Sequence, residues 1–130
     1  MAKPLQLSRV GQIALTVRDL ARAVAFYRDT LGMPFLFEAP PKMAFFDCGG
    51  IRLMLGVPEE PEFDHPSSIL YYKVDDIQAA WEGLKEAGVD LQQPPHLLAR
   101  MPDHDLWMAF FRDSEGNMLA LMSEVRAPQA

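Results

Sequence analysis

QIALTVRDLARAVAFYRDTLGM, residues Gln12 to Met33, reads as a strand running directly into a helix. Ile13, Leu15 and Val17 alternate with Gln12, Ala14 and Thr16, the period of a strand with two unlike faces. Asp19 supplies an N-cap carboxylate, and Leu20, Val24, Tyr27 and Leu31 follow at helical spacing. Gly32 stands where a helix C-terminus favours positive φ. The same phrase returns as ILYYKVDDIQAAWEGLKEAGV, Ile69 to Val89. There Leu70, Tyr72 and Val74 form the strand face, Asp76 the cap, Ile77, Trp81 and Leu84 the helix stripe, and Gly88 the stop. The second copy is one residue shorter between cap and glycine.

A third segment also repeats. FFDCGGIRLML (Phe45 to Leu55) matches FFRDSEGNMLAL (Phe110 to Leu121), with Gly50, Leu53 and Leu55 falling on Gly116, Leu119 and Leu121. Pro40-Pro41, Gly49-Gly50, Pro102-Asp103 and the Ser114 to Gly116 stretch mark hairpin turns. The chain is therefore expected to be α+β: two β-α-β-β-β modules, residues 9–57 and 67–125, joined by a linker at 58–66 within one domain spanning 1–130. Met1 to Arg9 reads as a lead-in and Arg126 to Ala130 as a tail.

With 130 residues, 49% of them hydrophobic and 23% charged, the composition is that of a globular domain with a sizeable core. A net charge of −6 with no Lys/Arg stripe argues against a nucleic-acid partner. No apolar run approaches membrane-spanning length, and Met1 to Ser8 lacks the apolar stretch of a secretory signal. Together with the single cysteine, Cys48, this points to the cytoplasm. Cys48 is expected to be a buried, inert thiol.

VRDLARAVAFYRDTLGM resembles the V-x-D-L-x-x-x-x-x-F-Y-x-x-x-L-G-M phrase of the vicinal-oxygen-chelate superfamily, the glyoxalase, bleomycin-resistance and extradiol-dioxygenase group. FFRDSEGNMLALMSE resembles its F-x-D-P-x-G-N-x-x-E-L phrase. The resemblance covers nearly the whole chain. It implies a mixed, curved eight-stranded sheet around an open cavity, and commonly a homodimer. It also implies that any metal ligands lie on the first and last strands of each half, here Gln12, Met54, Ile69 and Ala120. A borderline or hard divalent cation needs imidazole, carboxylate or amide oxygen, and only Gln12 offers one of these. The metal site is thus expected to be degenerate, with no cofactor required.

Strand parity then gives the lining. If Gln12 faces the cavity, so do Ala14, Thr16, Arg52, Met54, Ile69, Tyr71, Met118, Ala120 and Met122. This is an apolar, methionine-rich surface with a few polar points, which suits a small amphipathic or carboxylated ligand. An inward Arg52 wants a carboxylate, from Glu38 or from a ligand. His96, Asp103, His104 and Asp105 gather about one hairpin, which reads either as a solvated turn or as a lid carrying His96 over the ligand. Small-molecule binding without turnover is the leading expectation. The alternative is a metal-dependent lyase, isomerase or dioxygenase with displaced ligands, in which Glu38 or His96 would be the catalytic base.

Overall fold

The computed structural model describes residues 5–126; residues 1–4 of the expected lead-in and 127–130 of the expected tail lie outside the described residues. The chain divides at His65 and Pro66 into two compact units, each built in the same order. The first holds β1 (Gln12–Thr16), α1 (Leu20–Ala25), β2 (Phe35–Ala39), β3 (Met43–Cys48) and β4 (Ile51–Gly56). The second holds β5 (Leu70–Lys73), α2 (Ile77–Glu86), β6 (Asp90–Arg100), β7 (Asp105–Arg112) and β8 (Met118–Val125). The eight strands form two mixed four-stranded sheets, ordered β1-β4-β3-β2 and β5-β8-β7-β6. In each, the first strand pairs parallel with the last, which is what a crossover helix permits.

Both helices start where the carboxylates stand. Asp19 accepts a hydrogen bond from the Arg22 amide at 3.1 Å, and Asp76 one from the Ala79 amide at 3.0 Å. Such caps contribute about 1 kcal/mol each. Both helical stretches end before a glycine at positive φ, 71° at Gly32 and 76° at Gly88. The first helix does not stay α to that point. Phe26–Thr30 is a π-helical turn, closed by the Leu31 amide donating to the Phe26 carbonyl at 3.0 Å.

Parity divides each sheet into a helix-packed face and an open face. In the first unit Leu15, Val17, Ala44, Phe46, Leu53 and Leu55 are buried, together with Val24 and Tyr27 of the helical segment. In the second, Ala109, Phe111, Leu119 and Leu121 are buried, together with Ile77, Trp81 and Leu84 of α2. Large side chains buried in this way contribute roughly 1.5–3 kcal/mol each. With the core committed to the helix side, the residues of the opposite parity are left to form the open faces.

Candidate functional site

On the first sheet's open face, register places Gln12 beside Arg52 and Arg52 beside Asp47. These side chains, with Leu36 and Gly50, border a depression of about 490 Å³. The Arg52 guanidinium lies 5.9 Å from the centre of the Phe37 ring and 5.8 Å from that of Phe45. The two rings stack on each other at 4.8 Å. A guanidinium on aromatic faces keeps its donors turned outward while its plane is covered. Among the described residues, Arg52 makes no ion pair with a carboxylate. The Asp47 carboxylate beside it accepts from the Gly50 amide at 3.0 Å. Gln12 donates from Nε2 to the Met54 sulfur at 3.8 Å.

Glu38 is not part of this group, which corrects the pairing with Arg52. The β2–β3 register shifts by one residue between Phe35 and Phe37. Phe35 therefore pairs with Phe46 on the helix side, Phe37 with Phe45 on the open side, and Glu38 with buried Ala44 on the helix side again. There the Glu38 charge acts on Arg28, whose pKa is raised chiefly by its hydrogen bond to Asp29 and in smaller part by Glu38. A site combining Gln12 with Glu38 would need one side chain to cross the sheet.

The far end of the same open face carries Thr16, Met43, Met54 and Gly56. They form one side of a pocket of about 290 Å³ whose other side is the segment after β4.

In the second unit the open face places Tyr71 beside Ala120 and Ala120 beside Phe110. The next row holds Lys73, Met122, Met108 and His96. Phe110 is the hub. Its ring meets Tyr71 edge-on at 6.1 Å and lies near-parallel to the His96 ring at 6.4 Å. His96 Nδ1 lies 2.9 Å from the Pro94 carbonyl oxygen, which can only accept. The proton of the neutral ring therefore sits on Nδ1, leaving Nε2 as an acceptor. Met118 is half-buried on this face, Ile69 lies exposed just before β5, and Ala120 is fully buried.

Asp47, Phe37, Phe45, Met108 and Phe110 were not singled out from the sequence. Extending the alternation of β4 and β8 across to β3 and β7 would have found all but Phe37, which the bulge hides.

The hairpin tip is a solvated turn that carries an ionic network. Arg126 donates to Asp103 at 2.6 Å, and His104 Nδ1 lies 2.8 Å from the same carboxylate. Nε2 of His104 stands 4.0 Å from Glu124, which accepts from Lys73 at 3.0 Å. The Arg126 hydrogen bond, then that of His104, lowers the Asp103 pKa from 3.8 to about 2. Because the folded value is the lower one, the contribution is complete above about pH 4 and is lost as pH falls through about 2. A carboxyl-carbon NMR titration should show Asp103 ionising well below the ordinary aspartate range, and Arg126→Ala should move it back up. An ordinary midpoint in the parent protein would refute the network.

Cys48, at the end of β3, is half-buried, and its thiol pKa is pushed up by desolvation and then by Asp47. That suppresses the thiolate and with it nucleophilic chemistry.

The positions at which the resemblance implies metal ligands hold one amide, one thioether and two hydrocarbon side chains: Gln12, Met54, Ile69 and Ala120. Among the described residues, no three His, Cys, Asp or Glu side chains gather closely enough to hold an ion. This donor set does not fit a divalent-metal centre. Among the described residues, no helix is long and apolar enough to cross a membrane.

Comparison with known proteins agrees with this architecture. Residues 9–121 match the family model described as Glyoxalase/Bleomycin resistance protein/Dioxygenase superfamily. An uncharacterized protein of Bacillus subtilis strain 168, YraH, is 32% identical over 126 residues, covering 85% of this chain and 94% of its own. Among solved structures, a member of the same superfamily from Sphaerobacter thermophilus DSM 20745 superposes with a TM-score of 0.76 at 24% identity, covering 92% of this chain and all of its own. Lactoylglutathione lyase from Agrobacterium tumefaciens gives a TM-score of 0.73 at 23% identity, covering 91% and 95%. At such identities the structures speak to the fold alone.

Proposed function

The chain belongs to the Glyoxalase/Bleomycin resistance protein/Dioxygenase superfamily, and on that premise we propose that it binds a small amphipathic or carboxylated molecule without a metal ion. One observation carries the reading: the four metal-ligand positions implied for the family offer only the Gln12 amide as a hard donor, while the open faces around them are apolar and aromatic. A superfamily scaffold hosts many chemistries, so the side chains at the site must decide.

In the first module, Arg52 takes the carboxylate. Its forked donors suit a planar anion, and stacking on Phe37 and Phe45 holds the fork in place before the ligand arrives. The Gln12 amide, in the same row, adds a neutral donor or acceptor. The second module, taken by itself, offers a ring-lined surface of Tyr71, Phe110 and His96 that suits an apolar group, with His96 Nε2 as an acceptor. The protein would act as a cytoplasmic homodimer. Self-association is supported by edge strand β2, on which Phe35, Leu36 and Phe37 are exposed.

The test is a thermal-shift screen of small carboxylates and their amides, run with and without chelator, alongside metal analysis of the purified protein. Hits should be insensitive to chelator. Arg52→Ala should weaken a carboxylate roughly ten- to hundredfold while leaving its amide little changed. Near-stoichiometric bound metal with chelator-sensitive binding would overturn the reading and favour the lyase, isomerase or dioxygenase alternative.

A further inference from the structure

We propose that the first module carries a separate pocket, walled by the segment that follows β4, which takes a small molecule with an apolar body and a cationic head. The proposal rests on the small-molecule-binding reading above; it shares Ala14, Thr16 and Met54 with the lining expected from parity, but it does not use Arg52 and it calls for the opposite charge.

The pocket is built, not incidental. Gly56 pairs with Thr16 on one side and Met43 on the other, so it lies on the open face. A Cβ there would meet the Met54 Cε at 3.3 Å and the Met43 Cγ at 4.0 Å. The missing side chain is what leaves room between the two methionines. Pro58 and Phe63 also line it, and the open pocket has a volume of about 290 Å³. That is close to the lower end for small-molecule sites, roughly 300 Å³, and suits a single ring with a short chain.

The wall is tied down at both ends. The Val57 amide donates to the Lys42 carbonyl at 3.1 Å, beside the start of β3. A 3₁₀ turn over Pro61–Phe63 is followed by Asp64, which Arg18 grips with two hydrogen bonds, of 2.7 and 3.2 Å. That pair accounts for its own charges. Its hydrogen bonds and mutual attraction raise the Arg18 pKa and lower that of Asp64.

The charge left over is negative. Glu59 and Glu60 line the mouth, both are exposed, and among the described residues neither has an ion-pair partner. Among the described residues, no lysine or arginine lines the pocket, and His65 is the one basic side chain there. Phe63 stands at the same mouth, 63% exposed. Two carboxylates and an aromatic face are what an ammonium group seeks, and an anion placed here would be repelled. The flexible methionines beneath can shape themselves around an apolar body.

Three probes with the same four-carbon phenylalkyl skeleton test this: 4-phenylbutylamine, 4-phenylbutanol and 4-phenylbutyrate, titrated into protein carrying ¹³C-methyl methionine. The amine should shift the Met43 and Met54 methyl signals and, read from the Met43 signal, bind roughly fivefold more tightly than the alcohol, with the butyrate weakest at this pocket. The double variant Glu59→Gln, Glu60→Gln should bring amine and alcohol to the same affinity without weakening the alcohol. Gly56→Leu should fill the space and abolish the Met43 shift for both. If that variant fails to fold, Phe63→Ala, on the exposed wall, should still weaken the amine more than the alcohol. Equal affinities of the three probes, each read from the Met43 methyl signal, would overturn the proposal. So would an amine that shifts only Met108, Met118 and Met122, or one that shifts no methionine. None of these results touches the Arg52-dependent carboxylate binding proposed above, whose own failure would be read from the Arg52→Ala comparison.

Discussion

Replacing Phe46 by alanine is expected to remove about 3–5 kcal/mol of stability. Phe46 lies on β3, an inner strand of the first sheet, and is fully buried. Its ring centre lies 6.1 Å from that of Tyr27 in the helical segment and 5.5 Å from that of Phe35 on β2. Truncation would unlink helix, inner strand and edge strand at once, and rigid strands on either side limit collapse into the space. Against a typical total of 5–15 kcal/mol, that takes a large share. Urea unfolding should be followed by both far-ultraviolet circular dichroism and tryptophan fluorescence. Both tryptophans, Trp81 and Trp107, lie in the second unit. If the two units unfold together, the fluorescence midpoint falls with the dichroism midpoint; if not, the dichroism curve splits and the fluorescence midpoint stays. A loss below about 1 kcal/mol in both signals would contradict the packing described.

Asp113→Ala should cost about 2–4 kcal/mol. This carboxylate, only 5% exposed, holds the turn between β7 and β8. Oδ1 accepts from the amides of Glu115 and Asn117, each at 2.8 Å, and Oδ2 from the Asn117 side chain at 3.0 Å. Alanine would strand these donors in a half-buried turn, and stranded donors cost more than the bonds were worth. Asp113→Asn keeps one accepting oxygen and should lose about half as much, which separates hydrogen bonding from charge. The consequence reaches the binding face. A one-residue slip of β8 would turn Leu119 and Leu121 outward and carry Met118, Ala120 and Met122 into the core. Asp113→Ala should therefore also broaden the Met118 and Met122 methyl signals. If denaturation shows no loss, the turn is held by its backbone bonds alone.

Much of this was legible in the chain itself, because the signals were local. Asp19 and Asp76 cap helices as side chains three residues from the amide they receive. Gly32 and Gly88 end helical stretches because they accept positive φ. Alternation along β1, β4 and β8 separates core from open face since a pleated strand has no other choice. What escaped was whatever broke a period or came from afar. The bulge in β2 turns Phe37 towards Arg52 and Glu38 away from it, and nothing in Phe35 to Ala39 announces it. Three similar shifts interrupt β6, where Pro94 and Pro95 could not have kept a regular ladder. The pocket beside Gly56 needed the segment after β4 to fold back, held by an ion pair between Arg18 and Asp64 that lie far apart in sequence.

The widened turn at Phe26–Thr30 has a bearing on how the two halves diverged. From cap to terminal glycine the first repeat carries one residue more than the second. A ring closed from residue i to i+5 takes up one residue while the flanking turns keep their places, and Arg28, Asp29 and Thr30 lie exposed to solvent. An insertion following gene duplication would thus be absorbed inside the helix, disturbing neither the Asp19 cap nor Gly32. Duplicated copies can drift in length without drifting in shape, provided the added residue lands where a helix faces water.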